Sequence, residues 1–406
     1  MDDLVTSTGN LNLSDARVLV TGGTGFIGGR LVEKLVVAHG AQVRVLTRRP
    51  QSAVRVARLP VDLCVGTITD EAAVRTAVEG CDVILHCAHD PGARRRQRQL
   101  ATRAARHLID VASSTGVQRI VHMSSLAVYG PTADGDLTEE SPWTPIRDDY
   151  VQAKRSVERL LHRAQREQGL PVVTLQPTAV YGPYGKVWTA VQVRDMQDGL
   201  IPLIDGGHGL CNAVYVDDVV DAIVLAATTQ GIEGEAFLIS GPEPVPWATF
   251  YGAFESILGA RRTIDVPRAD LPHLARLEQR RSRRALREWV GTSIRGWLHD
   301  PNTVALVRDL ASVQRTIDLL AATLPDEQWA ALKRRVSSDG RSGRPPNRAT
   351  AMPRIIIPND MLLNLYVSKT HVRIDKARTR LGYEPRFDFD RGMRLTGEFL
   401  RWSGIV

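Results

Sequence analysis

Residues 17–50, RVLVTGGTGFIGGRLVEKLVVAHGAQVRVLTRRP, constrain this chain more than any other stretch. An apolar strand runs into a glycine-rich turn, the turn into an amphipathic helix and the helix into a second strand, all within one βαβ unit. Parallel strands need such a crossover, so the segment directs the chain to an α/β fold with a parallel sheet. Gly22, Gly25 and Gly28 occupy the turn. Backbone N–H groups at the positive end of a helix can face a pyrophosphate there, and missing Cβ atoms let phosphates and sheet come close. A turn in this position predicts dinucleotide binding.

The pattern continues through VDLCVG, DEAAVRTAVEG, CDVILHCA, RHLIDVASSTG and RIVHMSS, alternating strand and helix as a doubly wound sheet of the Rossmann type requires. Ligands of such sheets lie beyond the carboxyl ends of the strands, where Ser124 and Ser125 fall. After the second strand, where Asp or Glu would meet ribose hydroxyls, stand Thr47, Arg48 and Arg49. A cation at Arg48 favours a 2′-phosphate, so NADP is the expected cofactor and NAD the second choice; the plain alternative is two solvated loop arginines.

DYVQAKRSVERLL, residues 149–161, sets Tyr150 and Lys154 four apart at the head of an amphipathic helix anchored by Val157, Leu160 and Leu161. Residues at i and i+4 share a helix face, so phenol and ammonium can meet one small volume. Alone, the pair also fits two unrelated surface residues.

The 406 residues are 43% apolar and 24% charged, enough to bury a core. Cys64, Cys81, Cys87 and Cys211 show no ligand or disulfide spacing, so no metal is expected and a reducing cytoplasm fits. No run of eighteen apolar residues and no export signal is evident. The net charge of +7 is concentrated in 261–350, which holds 18 Lys and Arg against 10 Asp and Glu. No nucleic-acid motif accompanies that charge, and nucleic acid is not an expected partner.

TGGTGFIG, HCA, SSLAVYG, YVQAK, LQPTAVYGPYG, YVDDVVDA and RIDKARTRLGYEP, in this order, resemble the extended branch of the short-chain dehydrogenase/reductase family, which holds nucleotide-sugar epimerases, dehydratases and related reductases. The likeness covers about 15–260 and 370–402. It implies that Tyr150 exchanges a proton with the substrate oxygen, that Lys154 holds the nicotinamide ribose and lowers the phenol pKa, and that Ser125 orients the same oxygen. It also implies a cofactor site of Gly22, Thr24, Gly25, Phe26, Ile27, Gly28, Arg48, Ile68, Ala88, Ser124, Tyr150, Lys154 and Pro177. Substrate contacts are expected from Ser125, Trp188, Arg194 and Asn212, with His208 a further candidate; Trp188 reads equally well as core. Departures are Ala101 for a frequent Asn, Thr67 for Asp, which leaves only the Ile68 backbone for adenine, and Gln176 for Arg. Leu126 and Ala127 stand where 4,6-dehydratases carry an Asp-Glu pair, which speaks against elimination of water.

The expected organisation is a tail at 1–14, a dinucleotide-binding domain at 15–185 that also receives part of 210–245, a substrate-binding region at 186–260 and 351–406, and a basic helical insertion at 261–350. Arginines and apolar residues alternate through 271–298, predicting a lobe docked on the protein or on a second subunit in a homodimer, with membrane-surface contact less favoured. The expected activity is hydride transfer to or from a secondary alcohol or carbonyl, first on a nucleotide-linked sugar. The alternatives are an NADP-dependent reductase of a sterol-like or flavonoid-like substrate, and a dinucleotide sensor without turnover.

Overall fold

The computed structural model describes residues 11–89, 96–281 and 354–406. The chain divides into two units, 1–267 with 358–406, and 268–357. The first carries a seven-stranded parallel sheet. Its strands, numbered in chain order, are β1 (Arg17–Thr21), β2 (Gln42–Thr47), β3 (Asp62–Val65), β4 (Val83–His86), β5 (Arg119–Met123), β6 (Val172–Pro177) and β7 (Ala236–Ile239). They lie in the order β7-β6-β5-β4-β1-β2-β3. β5 and β6 are buried at every position, as strands covered on both faces must be. The edge strand β3 is largely exposed.

The α-helices described in this first unit are α1 (Phe26–His39), α2 (Glu71–Val78), α3 (Gln97–Thr115), α4 (Asp149–Gln168), α5 (Val191–Asp198), α6 (Val216–Thr228), α7 (Trp247–Leu258), α8 (Asp360–Val367) and α9 (Phe389–Trp402). Leu31, Val32 and Leu35 of α1 pack with α6 residues on one sheet face. Val74, Leu108, Val157 and Leu161 from α2, α3 and α4 cover the other. The chain leaves β1 towards β2 and β3, then returns to β4 on the opposite side of β1. That reversal opens a crevice at the carboxyl ends of β1 and β4, the place where such sheets bind ligands.

Short strand pairs hold the later segments to this body: Ala213–Tyr215 beside Ala179–Tyr181, and Thr370–Val372 beside Gly135–Leu137. Asp218 of α6 accepts hydrogen bonds from the backbone N–H groups of Arg386 and Phe387, at 2.8 and 3.2 Å. Of the basic insertion, residues 271–281 are helical. Thr263–Val266, within the expected helical insertion, is instead a strand beside Ile201–Ile204, while residues 282–350, including Arg283, Arg284 and Arg287, lie outside the described residues, and with them the expectation about docking. Among the described residues no helix is long and apolar enough to cross a membrane, and no cluster of metal-ligand side chains occurs.

Candidate active site

The glycine turn is shaped by close backbone approaches. Gly22 has φ +73°, and a Cβ there would lie 2.8 Å from the Ala88 backbone across the crevice. A Cβ on Gly28 would fall 2.2 Å from the Gly22 carbonyl oxygen. Only glycine fits either position. Gly25 is the N-cap of α1 and offers no side-chain cap, so the helix presents its first N–H groups beside Thr24, Phe26 and Ile27. This cradle suits a pyrophosphate, and the residues present therefore fit a dinucleotide. Ala88 is fixed opposite by a hydrogen bond from its N–H to Thr21 Oγ1 at 3.4 Å.

Around the crevice, Arg48 is exposed just past the end of β2, and Thr47 donates to the Arg49 carbonyl at 3.1 Å, shaping that turn. Ile68 is half-buried past β3, and Pro177 ends β6 in the buried layer. Arg55, which the sequence did not single out, reaches over α1: it donates to the Phe26 carbonyl at 3.3 Å, pairs with Glu33 at 3.0 Å and stacks 4.2 Å from the Tyr184 ring centroid.

α4 starts because Asp148 caps it, accepting from Val151 N–H at 3.0 Å, and it stops at Gly169 in the left-handed conformation. The cap places Tyr150 and Lys154 over the end of β5. There Ser124 N–H bonds to the Leu175 carbonyl at 2.7 Å, and the Ser125 hydroxyl accepts from Ala127 N–H at 3.2 Å, opening the turn Leu126–Tyr129. Tyr150 faces Ser125, whose hydroxyl favours the ionised phenol. Lys154 donates to the Met123 carbonyl at 2.6 Å. The serine, tyrosine and lysine thus stand together beside the cofactor cradle.

Both Tyr150 and Lys154 keep some surface open, yet protein surrounds their polar heads. Burial pushes the Tyr150 phenol above its usual range; the Ser125 side chain opposes this and Asp148 adds to it. Burial also lowers the Lys154 ammonium from 10.5 to about 8, against the pull of Glu158. In the protein without cofactor the Lys154 ammonium faces a carbonyl, and burial is the leading influence on the phenol.

Four polar groups here were not legible in the sequence. His89, three residues beyond β4, sets its ring edge-on to Tyr150 with centroids 5.1 Å apart, and its Nε2 is 3.1 Å from Gln97 Nε2. His86 and His122 stack with centroids 5.3 Å apart beneath the site, both driven towards the neutral form by burial and then by Lys154. Glu158 lies buried one helical turn after Lys154.

The expected substrate residues do not converge as a group. Asn212 is buried, donating to the Thr370 carbonyl at 2.8 Å and accepting from Val372 N–H at 2.9 Å. Its amide splices a strand into the fold, which corrects its assignment to substrate. Trp188 is half-buried in an aromatic cluster, 5.6 Å from the Trp247 ring centroid and 6.3 Å from that of Phe250. Arg194 on α5 and His208 are exposed.

Residues 18–240 match the model of the NAD dependent epimerase/dehydratase family. The chain belongs to that family. Sterol demethylase protein B of Methylococcus capsulatus is 32% identical over 241 residues, covering 55% of this chain and 69% of that protein. An uncharacterized protein of Sinorhizobium fredii, y4nG, is 31% identical over 218 residues, and the match spans 52% of this chain but only 54% of that relative. Among solved structures, the UDP-glucose 4-epimerase of Thermotoga maritima with UDP-glucose superposes with a TM-score of 0.62 at 20% identity, covering 95% of this chain and 99% of that one. This last likeness is one of fold.

Proposed function

We propose that this chain moves hydride between a nicotinamide cofactor and a secondary alcohol or carbonyl, with Tyr150 exchanging the substrate proton and Ser125 orienting the same oxygen. The observation that carries this reading is the meeting of Ser125, Tyr150 and Lys154 beside the glycine cradle. When bound, the cofactor supplies the hydride carrier. The protein supplies position: Ser125 fixes the phenol, Lys154 offers an ammonium to the cofactor's ribose, and burial keeps water from the transfer. Arg48 favours NADP through its charge.

A nucleotide-linked sugar is the first substrate class, supported by the fold shared with the UDP-glucose epimerase. Leu126 and Ala127, in place of an acidic pair, direct the reading away from dehydration and towards epimerisation or net reduction. One observation favours the second reading, an NADP-dependent reductase of a less polar ketone: Asn212 is committed to the backbone, which removes a polar group from the expected nucleotide contacts. Mass spectrometry of cofactor released from denatured protein, with a turnover screen of nucleotide sugars and of sterol and flavonoid ketones, decides between them. Turnover that survives Tyr150→Phe would overturn the proposal.

A further inference from the structure

We infer that Glu158 is the group that keeps Lys154 charged in this site, acting as a positioning residue through Lys154, and that Gln176 makes this effective by satisfying the carboxylate without neutralising it. The inference rests on the reading of Lys154 given above. Lys154 and Glu158 are i and i+4 on α4, so they share one face of the helix. Glu158 is 3% exposed, and Gln176 of β6 donates its amide to both carboxylate oxygens, at 3.2 and 3.1 Å. Gln176 is itself fixed by Tyr129, whose hydroxyl donates to Gln176 Oε1 at 2.9 Å. A buried carboxylate ordinarily needs a cation or several donors. Here the direct partner is a neutral amide.

Two cations feel Glu158, Lys154 and Arg155. Arg155, next to Lys154 in sequence, is committed elsewhere: its guanidinium donates to the carbonyls of Val128 and Thr144, both at 2.7 Å, and lies 5.4 Å from the Trp143 ring centroid. Burial pushes the Glu158 carboxyl above its usual range, and Ser124 at the end of β5, the Gln176 amide, Lys154 and Arg155 oppose this, Ser124 without a well-formed hydrogen bond. Glu139 lies on the Tyr129 side of the network and adds negative charge there. On the other side, Lys154 is faced by the Met123 carbonyl, by His86 and His122 and by Cys87. Burial holds both histidines neutral and the thiol protonated, so none of them is a counter-charge. Glu158 is the carboxylate whose field reaches Lys154, and burial alone would carry that ammonium towards its neutral form.

The chain has six lysines, so a selectively ¹³Cε-labelled lysine spectrum, assigned with Lys154→Met, can follow Lys154 directly in the protein without substrate. In Glu158→Gln the Lys154 titration should move down by about one pH unit or more, as expected for loss of a charge one helical turn away in a poorly solvated site, while lysines 34, 186, 369 and 376 titrate as before. Glu158→Asp keeps the charge and should hold Lys154 near its native titration. Gln176→Arg leaves Glu158 in place but lays a cation on it, and should also lower the Lys154 titration, which gives a second reading should Glu158→Gln fail to fold. An unmoved Lys154 in folded Glu158→Gln or Gln176→Arg overturns the inference, and so does an equal fall in Glu158→Gln and Glu158→Asp. Because neither substrate nor turnover enters this titration, its failure is distinct from failure of the proposed activity, which Tyr150→Phe reads.

Discussion

Gly28→Ala tests whether the turn between β1 and α1 is a fitted cradle. Gly28 is buried in the first turn of α1, and an added Cβ would lie 2.2 Å from Gly22 O, 2.8 Å from Gly22 C and 3.0 Å from Gly23 Cα. All three are backbone atoms, so no side chain can rotate out of the way. Going from 2.2 Å to an ordinary contact of 3.4 Å needs an opening of about 1.2 Å between turn and helix. Overpacking of this kind costs about 1–3 kcal/mol in stability. The same displacement moves the amides that would face a pyrophosphate, and an equal loss in binding corresponds to roughly one to two decades of cofactor affinity. Urea unfolding and calorimetric titration with NADP and NAD measure the two effects. Gly40→Ala is the control: its Cβ meets nothing within 4 Å, but its φ of +61° makes alanine strained by about 1–2 kcal/mol. It should lose stability and leave cofactor affinity unchanged, since Gly40 ends α1 far from the turn. Gly28→Ala with a native unfolding midpoint and cofactor affinity within twofold of native would refute the cradle.

Tyr150→Phe should keep fold and cofactor binding and lose about 10²- to 10⁴-fold in turnover, the span of a general acid–base contribution, and turnover within threefold of native removes the phenol from the reaction. Arg48→Asp should shift cofactor preference towards NAD, and a native protein that already prefers NAD by about tenfold, roughly 1.4 kcal/mol, would contradict the role given to Arg48. Burial raises the Asp218 carboxyl from 3.8 to about 6, despite donors from Arg386 and Phe387. The folded state therefore binds this proton more tightly than the unfolded chain, so the stability it contributes is complete below 3.8 and is lost as pH rises through about 6. Asp218→Asn should flatten the stability profile across that window, and an unchanged slope there would show that another group governs it.

The doubly wound sheet was legible because its rules are local. Strand, turn and helix alternate in sequence, right-handed crossovers leave few orders, and the glycines of the first turn declare a backbone that tolerates no Cβ. Tyr150 and Lys154 were legible as a pair for the same reason, since helix periodicity puts them on one face. Asn212 shows where this reasoning ends. Its two partners, Thr370 and Val372, lie 158 and 160 residues away, so no spacing rule could show that its amide was already engaged. Trp188 is similar: its neighbours Trp247 and Phe250 arrive on α7, and only the folded chain makes them a cluster. His89 lies three residues beyond β4, but its edge contact with Tyr150 depends on how α4 crosses the end of the sheet, which no local pattern shows.

The electrostatics of the site were the least legible part, because burial acts on both members of the pair in ways that composition cannot show. Sealing the cleft moves the Tyr150 phenol up and the Lys154 ammonium down, so it drives each towards its neutral form. A proton-transferring tyrosine beside an ammonium needs the opposite, and the protein must supply charge-favouring partners without letting water in. Ser125 does this for the phenol by facing it with a hydroxyl. Glu158 does it for the ammonium through a field, and Gln176 is what lets a carboxylate remain buried there without a cation of its own. An arginine in place of Gln176 would satisfy Glu158 more completely and leave Lys154 less supported. The exchange of a cation for an amide on β6 is thus a change in the chemistry of α4, carried across the sheet by one buried carboxylate.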